Sequence, residues 1–125
     1  MRLTATNVLR FTVVLALTTF AGSSWAGGGP ENVLVVVNSH SIGSKTIANH
    51  YIALRNIPAS NVLYIDWRGG LEGCQGVQFS QKILQPIIEA IANRKLSAQI
   101  DCVAYSSDFP WLVNLQSLFP DEKFP

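Results

Sequence analysis

The run Val33-Leu-Val-Val-Val37 constrains the fold more than any other stretch of this chain. A strand that shows one face to water alternates apolar and polar residues, and this run does not, so both of its faces must be covered. That is the situation of a central strand in a parallel sheet, flanked by crossover helices. The polar turn Asn38-Ser-His-Ser41 follows, and Ser41 or Ser44 can cap a helix whose apolar positions Ile47, Ala48, Tyr51, Ile52 and Leu54 keep helical spacing. Asn56 suits the left-handed residue that closes a helix, and Ile57 is pushed out of the helical region by Pro58.

A second apolar strand spans Asn61 to Ile65 and runs into Asp66-Trp-Arg-Gly-Gly-Leu-Glu-Gly-Cys-Gln-Gly76, whose composition predicts a loop with no helix starting directly after it. From Ser80 the residues Ile83, Leu84, Ile87, Ile88 and Ile91 form one apolar stripe, with Arg94 and Lys95 at the end where the helix dipole favours cations. Pro86 costs that helix a backbone bond if it begins at Ser80. Ile100 to Tyr105 is a third strand. The order β-α-β-α-β predicts an α/β fold, a partial doubly wound, three-layer parallel sheet with strand order 2-1-3. Three strands are few for such a sheet, and Leu118 to Pro125 supplies no closing element, so the chain reads as the N-terminal portion of a larger domain.

Ahead of this unit lies an export signal, residues 1–26. Arg2 and Arg10 precede the apolar run Phe11 to Ala21, too short for the roughly 20 residues of a spanning helix, and Ser24 and Ala26 suit a signal peptidase. Cleavage between Ala26 and Gly27 leaves an α/β domain of residues 27–125, in the periplasm, at the cell surface or secreted, that meets the membrane only through its signal.

A formal charge of +1 with 14% charged residues provides no basic stripe, so nucleic acid is not an expected partner. Two histidines and two cysteines are scattered without metal-ligand spacing, and the first turn has neither the glycines of a dinucleotide fingerprint nor the Gly-Lys-Ser/Thr of a P-loop; no metal or cofactor is expected. Export permits a disulfide between Cys74 and Cys102, but their expected places along the sheet are far apart, and Cys102 reads as a small buried core residue.

Ligands of open parallel sheets bind at the carboxyl ends of the strands. That rule brings together Asn38, Ser39 and His40, then Asp66, Trp67 and Arg68, then Ser106, Ser107 and Asp108. His40 as base, Ser107 as nucleophile and Asp108 as orienting carboxylate would follow the logic of a triad. The same residue types serve turns and helix caps, and that ordinary use has the greater weight here, so no catalytic residue is assigned. Phe109 and Trp111 either present aromatic surface to a ligand or cover the open end of the core.

Glu31-Asn-Val-Leu-Val-Val-Val-Asn38, Ala48-Asn-His-Tyr51 and Arg55-Asn-Ile-Pro58, with Ser106-Ser-Asp-Phe-Pro-Trp111 after the third strand, resemble the start of an uncharacterised family of exported bacterial proteins found notably in planctomycetes. The pattern is more distantly similar to the gingipain and caspase-like cysteine peptidases. That resemblance implies an α/β sandwich with a catalytic His and Cys after successive core strands. Here Ser106-Ser-Asp-Phe-Pro stands where those peptidases have a His-Gly type turn, so none of their catalytic residues carries over. The functional expectation is an exported protein, either the N-terminal half of a peptidase-like extracytoplasmic hydrolase or a non-catalytic module for a peptide, glycan or protein partner. N-terminal sequencing of the exported product should begin at Gly27; an intact Met1 would make the segment an anchor.

Overall fold

The computed structural model describes residues 28–119; the expected export signal and the cleavage point expected between Ala26 and Gly27 lie outside the described residues. A 3-10 turn, Pro30–Asn32, leads into β1, Val33–Asn38, and every residue of β1 is buried. α1 follows at Ile42–Arg55. Of the two candidate caps, Ser41 is the one used: its hydroxyl accepts the Ser44 N–H, while Ser44 is buried within the first turn. Asn56 closes α1 in the left-handed region at φ 53°. A second 3-10 turn, Ala59–Asn61, precedes β2, Val62–Ile65. The third core strand is β4, Cys102–Tyr105.

β1 lies between β2 and β4 and pairs in parallel with both, Val35 opposite Val62 and Val33 opposite Cys102. The second, first and third core strands thus stand in the expected order. The missing alternation in β1 has a direct cause, because each face meets its own apolar cluster. Leu34 and Val36 pack with Ile65, Trp67, Ile83 and Ile87, whereas Val33, Val35 and Val37 pack with Ala48 and Ile57.

The second helical region departs from the sequence reading. It starts at Gly76, directly after the glycine-rich stretch, as α2, Gly76–Phe79, continues through a π turn at Ser80–Leu84, and ends as α3, Gln85–Asn93. Gly76 is buried, and a Cβ placed on it would come within 2.8 Å of Leu118 Cδ1 and 3.0 Å of Asn114 O. This glycine therefore serves close packing, which composition cannot distinguish from a loop breaker. The π turn widens the backbone just ahead of Pro86, where a regular helix would press the pyrrolidine ring against a carbonyl one turn back.

The stretch after Tyr105, which carries no strand signal, is tied back to the glycine-rich segment. Cys74–Gln75, β3, pairs in parallel with Val113–Asn114, β5, and a 3-10 turn at Leu115–Ser117 follows. Two backbone bonds extend the join: Trp111 N–H donates to Leu71 O at 3.1 Å and Cys74 N–H to Leu112 O at 3.0 Å. Among the described residues no helix is long and apolar enough to cross a membrane.

Both cysteines are free, and Cys102 is exposed, contrary to its reading as core. It begins β4, one of the two outer strands, and edge strands leave side chains uncovered that a central strand would bury. Cys74 packs partly against the core, and burial pushes its thiol above the ordinary value. Ellman's reagent should therefore titrate Cys102 rapidly and Cys74 slowly until denaturant is added; equal rates in the native protein would contradict this arrangement.

Candidate functional site

β1 ends in Asn38, whose buried side chain organises the carboxyl edge of the sheet. Its Oδ1 accepts the His40 N–H at 3.0 Å, and its Nδ2 donates to Trp67 O at 3.0 Å and to Asp108 O at 2.8 Å. One primary amide thereby holds the turns after β1, β2 and β4 together. Both of its N–H bonds are committed to carbonyls, so Asn38 positions the site and has no donor left for a ligand. Ser39 N–H bonds Ile65 O at 2.9 Å, which leaves Ser39 a turn residue.

The hydroxyls beside it are also engaged. Ser41 Oγ accepts the Ser44 N–H and donates to Asp108 Oδ2, while Ser44 and Ser106 share a hydroxyl–hydroxyl bond. Asp108 is held at φ 65°, and a Cβ on Gly43 would lie 3.5 Å from its Oδ2 and 3.8 Å from Ser107 Oγ. The carboxylate thus sits against the first turn of α1, where the helix dipole favours negative charge. Among the described residues no hydrogen bond joins His40 to Ser107 or Asp108, so the three residues with triad chemistry share an edge without forming a relay.

Residues 66–68 alternate outward, inward, outward. Asp66 and Arg68 form an exposed bidentate pair with bonds of 2.9–3.1 Å, and the Arg68 hydrogen bond holds the Asp66 carboxyl below its ordinary 3.8. The same bond raises Arg68. Trp67, only 3% exposed, joins the core instead, and its Nε1–H has no acceptor among the described residues. Gly69 crosses over this indole; a Cβ there would lie 2.3 Å from Trp67 Cζ2.

Between these turns lies an open cavity of 260 Å³, lined chiefly by Asn38, His40, Ser41, Trp67, Arg68 and Asp108. Gly69 and Leu71 complete its lining, and the backbone N–H of Trp111, a residue 77% exposed, is bonded to Leu71 O. The two aromatics after β4 divide the roles considered for them. Phe109 packs on the core and meets Tyr105 edge to face at 5.4 Å, whereas Trp111 is outside. Sequence reasoning missed Ser41, Gly69 and Leu71 as cavity residues. Ser41 is legible as a cap, but nothing local marks Leu71.

No group of three potential metal ligands occurs among the described residues. Comparison of the chain with protein-family models, curated proteins and solved structures gives no match.

Asn38→Ala should lower stability by about 3 kcal/mol, because it leaves one buried and one half-buried carbonyl and one half-buried N–H without this partner. Asn38→Asp, equal in shape, should cost at least as much at neutral pH, since a carboxylate would face the carbonyls of Trp67 and Asp108. Urea unfolding measures both, and a wild-type midpoint for Asn38→Asp would refute the assignment.

Proposed function

We propose that this chain works outside the cytoplasm as a non-catalytic binding module that takes a peptide, glycan or protein partner at the carboxyl edge of its sheet. The observation that carries this reading is the pairing of a polar cavity, walled in part by Trp67, with an exposed residue, Trp111, whose backbone is bonded to the lining residue Leu71. Aromatic surface next to a few oriented polar groups is the common make-up of a recognition site. The bond between Ser41 and Asp108 argues for binding without chemistry, since the carboxylate that would orient His40 is committed instead to the first turn of α1.

A second reading, the N-terminal half of a peptidase-like hydrolase, is favoured by Ser107. Its hydroxyl lies near the first turn of α1 and has no hydrogen-bond partner among the described residues. It agrees with the distant resemblance to cysteine peptidases in sheet layout, and it needs a base and an electrophile-stabilising group beyond those assembled here.

Immobilised protein should capture ligands from a random-peptide library or a glycan array, and Trp111→Ala should lose that capture while its circular dichroism stays unchanged. Fluorogenic peptide and ester substrates should not be turned over. Turnover that disappears in Ser107→Ala would establish the hydrolase reading in place of this one.

A further inference from the structure

The Trp67 Nε1–H is the one polar side-chain atom among the described residues that is buried without a partner, and Trp67 is also a wall of the carboxyl-edge cavity. A buried donor left unpaired costs about 1–3 kcal/mol, so its persistence at a cavity wall calls for a function. None of its neighbours can serve it. Asn38 Oδ1 already accepts the His40 N–H and Ser41 Oγ the Ser44 N–H, and Asp66 turns outward to Arg68. What covers the indole is Gly69: a Cβ there would meet Trp67 Cζ2, Cη2 and Cε2, the last bonded to Nε1. Gly69-Gly70 is a strap without side chains, one that can shift and admit an acceptor without displacing a packed group.

We propose that the cavity takes an extended peptide, one of whose backbone carbonyls accepts the Trp67 Nε1–H once Gly69-Gly70 moves aside, while an adjacent apolar side chain lies on Leu71, Trp111 and Leu112. This rests on the binding-site reading above and narrows its ligand to a peptide. The lining residue Leu71 and the segment bonded to it are aliphatic as well as aromatic, with Leu71 50%, Leu112 57% and Trp111 77% exposed, which suits an apolar side chain better than a sugar ring. A peptide group carries one donor and one acceptor; the Trp67 Nε1–H would serve its carbonyl, and the Asp108 carboxylate, which bonds Ser41 through one of its two oxygens, its N–H.

The test is a titration of the 15N-labelled protein with the capped tripeptide acetyl-Ala-Leu-Ala-amide, followed through the indole N–H resonances, with that of Trp67 assigned by its loss in Trp67→Phe. The Trp67 indole proton should move downfield on binding, and Trp67→Phe should weaken the peptide about tenfold while keeping the apolar bulk. Shifts at Trp111 and Leu71 with the Trp67 indole unmoved would overturn the proposal and leave the binding site standing. So would shifts produced by cellotriose and not by the tripeptide. No shift around the cavity with either probe would remove both. The wild-type titration decides the matter even if Trp67→Phe fails to fold.

Discussion

The burial of β1 on both faces is the constraint on which the remaining structure depends. A strand of this kind needs a parallel neighbour on each side and an apolar surface above and below, and α1 and the α2–α3 helix supply the surfaces from opposite clusters. Once that is met, the carboxyl ends of the strands fall on one edge, because parallel strands all leave the sheet in the same direction. The candidate site is a consequence of that geometry before it is a matter of any particular side chain.

Where a fully buried strand stops, its backbone and those of its neighbours must exchange sheet partners for others, and asparagine amides do this at both ends. At the amino edge Asn61 Nδ2 donates to Glu31 O and Val33 O, and Asn32 Nδ2 to Gln99 O at 2.7 Å. At the carboxyl edge Asn38 performs the same task for three turns at once. An amide suits these positions because it donates and accepts without charge, so burial carries no ionisation penalty. The outer side of β2 is served differently, by the Arg94 guanidinium on Ser60 O and Val62 O at 2.8 and 2.9 Å. Among the described residues no strand pairs the far side of β4, which is why an apolar strand ends there half exposed.

The same economy explains why the residues with triad chemistry do not form a relay. The first turn of α1 needs a cap and a compensating anion; Ser41 and Asp108 provide them, and a carboxylate placed for the helix dipole is not placed for His40. What the edge retains is a cavity walled in part by Trp67, whose buried Nε1–H has no acceptor among the described residues.

The core strands, their order, the left-handed close of α1 at Asn56 and the set of loops that meet at the carboxyl edge were all legible in the chain, because each rests on a local signal: an apolar run, a helical stripe, a cap or a turn residue. Non-local packing decided the rest. Gly76 looks like a breaker until Leu118 and Asn114 are seen pressing on it, Cys102 looks like core until the start of β4 is seen to be left uncovered, and Pro86 is absorbed by a π turn that no pattern announces. Trp67 and Trp111 are alike in sequence terms, yet one is a buried cavity wall and the other stands exposed. Exposure depends on what the remainder of the chain brings alongside, so sequence determined which residues reach the edge, and only the tertiary structure decided which of them remain available to a partner.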